Sequence, residues 1–269
     1  MPAGIDFRKL PVWKKMGEIS LDEMDSIKLM NRIDTKFVTS ESTLVRVLDD
    51  AAAQGYRVCT IEGQRVLSYY SVYYDTPDLF MYTAHETGRK TRQKVRVRTY
   101  LISGDTYLEI KRKNNKGRTK KKRIGIPIEE RMDFSGDKAA ADFLAEKSWF
   151  KADGIFPECT TEFDRITLVN AAKTERLTID MNLHFHNFSS GFDGNLKDAV
   201  IIELKQDGRA DSQMKGILLN HRIHPFRISK YCMGVVLTEP RARTNRFKEK
   251  LRMVEKIIND KIDTYESNS

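Results

Sequence analysis

Several features that would assign this 269-residue chain to a familiar class are absent from its sequence. Its three cysteines, Cys59, Cys159 and Cys232, are far apart and odd in number. This argues against a disulfide framework or a paired-cysteine metal site and predicts buried thiols. No apolar run reaches the roughly 18 residues of a membrane-spanning helix, and the N-terminus has no signal-peptide pattern. We therefore expect a cytoplasmic protein without membrane insertion.

Common phosphate- and nucleotide-binding motifs are absent as well. The sequence has no Gly-rich P-loop, no GxGxxG motif and no visible Ser/His/Asp arrangement. The five histidines have no neighbouring cysteine or acid that would complete a zinc site. Phosphotransfer on a classical nucleotide-binding fold is therefore not supported.

The distribution of charge is what distinguishes the sequence. Residues 89–123 contain 15 Lys or Arg and 2 acids, a net +13. The rest of the chain has 32 basic and 36 acidic residues, a net −4, so the two parts sum to the +9 of the whole. One segment makes the protein basic, which indicates a localised binding site for a polyanion.

Residue patterns predict an α+β protein with many strands. Segments rich in Tyr, Val, Ile and Thr predict strands at 34–39, 56–61, 65–75, 91–102, 106–114, 119–128, 155–170, 176–183 and 199–206. Turn residues between several of them predict antiparallel hairpins. Helices are expected at 20–32, 40–54, 77–87, 136–147, 211–220 and 230–237. No linker divides the chain, so we predict one domain over 1–269, with a core at about 18–238 and a C-terminal helix at about 241–262.

Charged residues occupy one face of several predicted strands, because residues two apart in a strand share a face. Arg92, Lys94, Arg96 and Arg98 share one face, while Val95 and Val97 face the other side. The pattern recurs in Glu109, Lys111 and Lys113, in Lys121 and Arg123, in Arg165 and Thr167, in Arg176, Thr178 and Asp180, and in Glu203 and Lys205.

A polar strand face is most often turned to bulk water. Repeated Arg and Lys on several strands, however, would repel one another unless an anion lay between them. If about eight such strands close into a barrel with these faces inward, the cationic lumen suits a chain of phosphates. A carboxylate among phosphates is repulsive unless a divalent cation bridges them, so Glu203 and Glu109 are candidate Mg²⁺ or Mn²⁺ ligands. A salt bridge to a neighbouring lysine is the alternative for each.

Eight short motifs follow one another between residues 18 and 238. They are Arg32-Ile-Asp34-Thr-Lys36-Phe37, Tyr73-Tyr-Asp75-Thr-Pro77-Asp78-Leu79, Lys94-Val-Arg96-Val-Arg98-Thr-Tyr100, Tyr107-Leu-Glu109-Ile-Lys111-Arg-Lys113, Phe163-Asp-Arg165, Arg176-Leu-Thr178-Ile-Asp180, Ile202-Glu203-Leu-Lys205 and Ser229-Lys230-Tyr231. In this order they resemble the catalytic domain of vacuolar transporter chaperone (VTC) proteins.

The resemblance implies a fold, an activity and a set of site residues. Members of the family are polyphosphate polymerases among the triphosphate tunnel metalloenzymes. They have a closed antiparallel eight-stranded β-barrel tunnel with peripheral helices and transfer the γ-phosphate of ATP to a growing inorganic polyphosphate chain. By position, the resemblance implies a metal, Mn²⁺ or Mg²⁺, on Glu203, and phosphate contacts from Lys36, Arg96, Arg98, Lys111, Lys113, Arg123, Arg165, Arg176 and Lys230.

From the resemblance and the strand pattern we expect three groups of site residues. The catalytic group is Lys36, Arg96, Arg98, Arg165, Arg176 and Lys230. The remaining phosphate contacts are Lys111, Lys113, Lys121, Arg123 and Lys205. The metal ligands are Glu203 and Glu109, the latter for a second ion or to orient Lys111.

Two alternatives remain. The first is an inorganic or nucleoside triphosphatase on the same fold, but that branch carries Glu-x-Glu-x-Lys near its N-terminus, whereas this chain has Arg32-Ile-Asp34-Thr-Lys36. The second is a non-catalytic polyanion- or nucleic-acid-binding protein. It predicts aromatic residues between the basic ones for base stacking, and the basic segment has only Tyr100 and Tyr107.

We therefore expect ATP and polyphosphate as ligands and no nucleic acid. A membrane partner would be a separate polypeptide, and the oligomeric state stays open.

Overall fold

The computed structural model describes residues 5–27, 29, 32–208 and 211–264. Its strands are β1 (Gly17–Ser20), β2 (Ile33–Ser40), β3 (Arg57–Thr60), β4 (Leu67–Asp75), β5 (Arg92–Tyr100), β6 (Thr106–Lys113), β7 (Thr119–Gly125), β8 (Phe156–Val169), β9 (Glu175–His186), β10 (Asp193–Asn195) and β11 (Ala199–Gln206). Its α-helices are α1 (Leu21–Ser26), α2 (Glu41–Ala53), α3 (Phe80–Glu86), α4 (Lys138–Lys147), α5 (Gln213–Asn220), α6 (Lys230–Thr238) and α7 (Asn245–Ile258). None of the helices in this described part is both long and apolar enough to cross a membrane.

Eight of the strands follow one another in an antiparallel sheet, in the order β2-β11-β9-β8-β4-β5-β6-β7. β10 pairs with β9, and β1 and β3 form a parallel pair that joins the sheet through β8. The helices lie around this sheet. The predicted α+β architecture, with an antiparallel sheet and peripheral helices, is confirmed.

The predicted closure of the eight strands into a barrel is wrong. Within the described residues, β7 and β2 are the end strands and do not pair with each other. The segment before α6 occupies part of the edge of β2, since the backbone N–H of Phe226 donates to the carbonyl of Lys36 at 2.7 Å and Pro225 bridges to Phe37. β7 carries four consecutive cations at positions 120–123, and charge on an edge strand opposes further pairing.

The open sheet nevertheless curls. Lys111 of β6 interacts electrostatically with Glu203 of β11 and Lys36 of β2, although four strands lie between β6 and β11. These side chains therefore face one another across an interior space. We call the inner surface the concave face and the outer one the convex face.

The two faces are packed by different helices. On the convex face, α2 and α5 pack over apolar side chains of β2, β9 and β11 such as Phe37, Ile179 and Ile202. On the concave face, Val38 and Ile201 form one apolar cluster with residues of α6 and α7. These helices therefore cover part of the concave face, and charged residues occupy much of the rest.

A buried carboxylate anchors α6 to the sheet. Asp75, the last residue of β4, accepts hydrogen bonds from the backbone N–H groups of Met81 and Tyr82 at 2.8 Å each, which caps the start of α3. It also accepts a hydrogen bond from the hydroxyl of Tyr231 in α6. Ser229 caps α6 itself. The first turn of α6 is thereby held among the charged residues of the concave face.

Several elements end at residues other than those predicted. α1 stops at Ser26 rather than near residue 32, and residues 28 and 30–31 lie outside the described ones. β7 ends at Gly125, and a 3-10 helix, Ile128–Arg131, follows Pro127 where the strand was expected to continue. β1 and β10 were not predicted, since four and three residues are too few to establish a period. The cysteines are buried, as predicted.

The packing of α6 against the sheet yields a stability prediction. A Cβ at Gly234 would lie 2.7 Å from the Cys159 sulfur and 2.9 Å from a ring carbon of Phe185. Gly234→Ala should therefore lower the free energy of unfolding by about 1–3 kcal/mol through overpacking, measured by chemical denaturation. Gly216→Ala in α5 is the control, because a Cβ there meets nothing within 4 Å, and it should be neutral or stabilise by up to about 1 kcal/mol. Equal effects of the two substitutions would contradict this packing.

Candidate functional site

Glu109 holds two cations on the concave face. Its Oε2 accepts hydrogen bonds from Nε and Nη2 of Arg96 at 2.7 and 2.6 Å, and its Oε1 accepts one from Lys121. Nη1 of Arg96 donates to the hydroxyl of Tyr73 at 3.0 Å. Burial would raise the pKa of Glu109, but Arg96, Arg98 and Lys121 lower it well below its usual range. The carboxylate therefore stays ionised and fixes the Arg96 guanidinium.

Asp180 holds a second pair of cations. Its two oxygens accept from Nε and Nη2 of Arg165 at 2.5 and 2.9 Å, a bidentate arrangement. Lys230, the first residue of α6, also contacts this carboxylate. Burial lowers the pKa of the Lys230 ammonium to about 8 even though Asp180 opposes the shift, and Arg165 and Lys36 add to the lowering.

Glu203 is the third carboxylate of the concave face. Its Oε2 lies 3.0 Å from Nζ of Lys205, and 27% of its side chain is exposed, against 0% for Glu109. In register it faces Lys36, whose Nζ donates to the carbonyl of Ile228 at 3.1 Å. Burial would raise the pKa of Glu203, but Lys205, Lys36 and then Lys111 lower it well below its usual range.

Positive charge on this face exceeds what these carboxylates neutralise. Arg98 donates through Nε to the hydroxyl of Ser71 at 3.1 Å, and burial followed by Arg96 and Arg165 lowers its pKa. The pKa of Lys111 is well below its usual range, first because of Arg96 and then because of burial. A bound anion would relieve this repulsion.

The predicted site residues fall into two sets. One set meets on the concave face: Lys36, Arg96, Arg98, Glu109, Lys111, Arg165, Glu203, Lys205 and Lys230. Arg176 continues this set, since it pairs in register with Lys205. The others lie nearer the edge of the sheet. Lys121 and Arg123 are on the exposed edge strand β7, where Lys121 bonds to Glu109 and Arg123 stacks on the ring of Tyr107 at 4.4 Å. Lys113 lies with Arg92 and Arg227.

Three residues of the site were not among the predicted ones. Asp180 lies on the same strand face as Arg176, and this shared face is the sequence signal that could have identified Asp180 as a site residue. Tyr73 and Ser71 lie on β4, which carries no Lys or Arg that would mark a phosphate-binding face. Their roles depend on contacts with Arg96 and Arg98 of the neighbouring strand.

The residues allow a limited metal site. Among the described residues no group of three or more His, Cys, Asp or Glu could hold an ion. Mg²⁺, however, is often bound by one or two carboxylates together with substrate phosphates, and Glu203 fits that arrangement because one of its oxygens is paired and the side chain is partly exposed. Both oxygens of Glu109 are engaged by cations. That either glutamate is a metal ligand stays a prediction.

Comparison with known proteins assigns first the fold and then the family. A putative adenylyl cyclase from Hippeastrum, described as having a dominant triphosphatase activity, has a similar fold, with a TM-score of 0.51 and 13% identity over 75% of this chain and 94% of that chain. A putative adenylate cyclase from Vibrio parahaemolyticus aligns with a TM-score of 0.42 and 11% identity over 75% and 97% of the two chains, which is too low to carry an argument. Residues 31–238 match the VTC domain, so the chain belongs to the VTC domain family. No curated protein matches it.

The ion pair of Asp180 yields a prediction that links stability to anion binding. Asp180→Asn leaves the Arg165 and Lys230 charges uncompensated, which should lower the free energy of unfolding by about 3–5 kcal/mol. Tripolyphosphate should raise the melting temperature of this variant more than that of the wild type, because the anion replaces the lost charge. Asp153→Asn, at an exposed position, is the control. A variant as stable as the wild type would refute the assigned role of Asp180.

Two groups of the site titrate in an accessible range. Burial lowers the pKa of Lys230 to about 8. For Tyr73 burial acts upward, but Arg96, Arg98 and Lys94 outweigh it and bring the pKa to about 8. Raising the pH from 7 to 9 therefore removes a positive charge and adds a negative one. Calorimetric affinity for tripolyphosphate should fall by about tenfold or more over this interval.

Tyr73→Phe separates the two titrations. The variant keeps the Lys230 titration and loses the phenol, so its affinity should fall less steeply with pH than that of the wild type. The ratio of the two affinities cancels the titration of the ligand itself. A constant ratio from pH 7 to 9 would show that Tyr73 does not ionise in the site.

Proposed function

We propose that this chain is a divalent-metal-dependent polyphosphate polymerase that transfers the γ-phosphate of ATP to the end of a growing polyphosphate chain. Membership of the VTC domain family and the tunnel-type fold support a role in phosphoryl transfer. The observation that carries the finer proposal is the excess of positive charge on the concave face. A chain of phosphates is the ligand whose charge density matches it.

The contacts suggest a division of roles among the cations. Phosphoryl transfer depends mainly on positioning and on stabilising charge that spreads over the equatorial oxygens. Glu109 and Asp180 orient Arg96 and Arg165, while Arg98 is bound to the protein through Nε, which leaves its Nη atoms to face phosphate oxygens. We assign these three arginines and Arg176 to the transferred group.

Lysines and the metal complete the proposed site. Lys36 and Lys230 stabilise the leaving phosphates, and Lys111 and Lys205 bind the neighbouring ones. Glu203 would hold Mn²⁺ or Mg²⁺, which when bound neutralises charge on phosphate oxygens. Lys113, Lys121 and Arg123 lie further out and bind the chain outside the reacting region.

The protonation of the carboxylates favours transfer to phosphate over hydrolysis. Cations hold the pKa values of Glu109, Asp180 and Glu203 below their usual ranges. Such carboxylates are weak bases and poorly suited to activate water. A polyphosphate end is already anionic and needs no base. Asp34, at the position where a triphosphatase carries a glutamate, is exposed and paired with Arg32 at 2.6 Å.

A triphosphatase is the second candidate. The Hippeastrum protein of similar fold is described as having a dominant triphosphatase activity, and the same cations would bind a triphosphate with water as the acceptor. We propose ATP and polyphosphate as ligands of a cytoplasmic, single-domain enzyme, without nucleic acid as a partner.

A product assay distinguishes these functions. The purified protein is incubated with ATP and Mn²⁺ or Mg²⁺, and ADP, long-chain polyphosphate and free phosphate are measured. Polymer with ADP is expected, and Glu203→Gln should reduce its rate by about a hundredfold or more because the metal loses its carboxylate. Glu249→Gln, on the exposed side of α7, should leave the rate unchanged. Free phosphate without polymer would reject the polymerase in favour of the triphosphatase.

A further inference from the structure

A basic surface with exposed aromatic rings lies on the convex face. Lys120 and Lys122 of β7 alternate with the residues of that strand that face the site, so they point to the convex side. In register, Lys122 pairs with Ile110, whose side chain packs beneath α4. Arg112 of β6 lies on this side as well and pairs with Lys120. The three cations are exposed.

Two exposed aromatic rings lie beside these cations. Trp149, which follows α4, is 48% exposed, and the guanidinium of Arg112 lies over its ring, 5.6 Å from the ring centre. The backbone N–H of Trp149 donates to Oε1 of Gln93 at 2.9 Å, which holds this residue against β5. Phe80, the first residue of α3, is 38% exposed, and the guanidinium of Arg89 lies 5.6 Å from its ring centre.

The two rings belong to one continuous surface. Phe150, which follows Trp149 in the chain, packs against Phe80 with the ring centres 6.0 Å apart. The aromatic contacts therefore connect the start of α3 with the outer side of β6 and β7. We define the outer basic surface as six residues: Phe80, Arg89, Arg112, Lys120, Lys122 and Trp149.

The positive charge of the outer basic surface is not compensated. Among the described residues, none of its four cations forms an ion pair. The neighbouring helix α4 exposes two acids, but Asp142 pairs with Lys138 at 2.5 Å and Glu146 pairs with Lys147. A partner of negative charge would therefore complement this surface.

The shape of the surface and its rings indicate the kind of partner. A peptide binds in a groove or along a strand edge, whereas these residues lie on the outside of a curled sheet. A single-stranded nucleic acid stacks its bases on open rings, but here a guanidinium lies over each ring. A lipid bilayer fits both features, because aromatic rings lie at the depth of the headgroups while long cationic side chains reach the lipid phosphates.

We propose that the outer basic surface docks this protein on a membrane that contains anionic phospholipids. Trp149 and Phe80 lie at the level of the headgroups, and the four cations contact the lipid phosphates. The concave face is on the opposite side of β5, β6 and β7, so docking leaves it open to solvent. The inference does not depend on the proposed reaction, since it uses none of the residues assigned to that reaction.

Binding of the purified full chain to vesicles tests the docking surface. Vesicles of phosphatidylglycerol and phosphatidylcholine, mixed at about one to two, are compared by cosedimentation with vesicles of phosphatidylcholine alone. The wild type should bind the anionic vesicles about tenfold or more tightly than the neutral ones, and added salt should weaken this binding because it screens surface charge. Lys120→Glu combined with Lys122→Glu should weaken binding to the anionic vesicles by about thirtyfold or more.

The matched control changes the same amount of charge at another exposed place. Lys248→Glu combined with Lys256→Glu alters two exposed cations of α7, a helix that packs on β2 and β11. This variant should bind the anionic vesicles within about threefold of the wild type. Both double variants should melt close to the wild type, because all four positions are exposed.

Tryptophan fluorescence tests the contact itself. The chain has two tryptophans, Trp13 and Trp149, of which Trp13 is buried. Binding to anionic vesicles should shift the emission to shorter wavelength, because the ring of Trp149 leaves water. Trp149→Phe keeps an aromatic ring at this position, so its vesicle affinity should stay within about fivefold of the wild type, while the emission shift should disappear. A shift that persists in this variant would place the membrane contact elsewhere and overturn the proposal.

Three further results would reject membrane docking through this surface. Absence of binding to the anionic vesicles would reject it directly. Equal losses in the two double variants would show that attraction follows the net charge of the chain and not the outer basic surface. Binding to single-stranded RNA or to polyglutamate that the Lys120→Glu and Lys122→Glu changes abolish, without binding to vesicles, would assign the surface to a nucleic acid or to an acidic protein instead.

Discussion

Repulsion between the cations of the concave face is the constraint on which the rest of this structure depends. Arginines and lysines from six strands and from α6 share one interior space, and burial weakens the screening that water would provide. Glu109 and Asp180 make this tolerable because each carboxylate binds two cations at once. The positive charge that remains is the part that an anion could neutralise.

The same constraint accounts for the placement of α6. Its first turn brings Lys230 to Asp180 and Ser229 to Lys94, while further along the helix apolar residues pack against the sheet. The hydrogen bond between Tyr231 and Asp75 fixes the helix to β4. A disturbance in the apolar packing of α6 would therefore move a lysine of the site, which couples stability to ligand binding.

Strand alternation predicted which residues share a face within one strand, because the period of two holds wherever a strand is regular. It placed Arg96 with Arg98 on one face, and Glu109 with Lys111 on another, before any pairing was known. It could not predict which cation each carboxylate binds. Arg165 and Asp180 meet only through the register of β8 with β9, which shifts at a bulge, and Lys230 reaches Asp180 from a helix far along the chain.

Whether the sheet closes into a barrel could not be predicted from the sequence, for a similar reason. Eight strands with inward charge predict a curled sheet, but closure is decided at the edges alone. There the Phe226 N–H binds the carbonyl of Lys36, and β7 presents consecutive cations. The hydrogen bond and the row of cations each belong to one edge strand. The alternation of charged and apolar residues, which is common to all the strands, does not predict what happens at an edge.

The three carboxylates of the concave face differ in how exposed they are and in how many cations they bind. Glu109 and Asp180 are almost wholly buried, at 0% and 3% exposure, and each is shared by two cations. Removing either partner would leave a buried charge uncompensated, so their geometry is fixed. Glu203 is 27% exposed and forms its ion pair with Lys205, while Lys36 and Lys111 act on it electrostatically. Its pairing is therefore the least costly of the three to exchange.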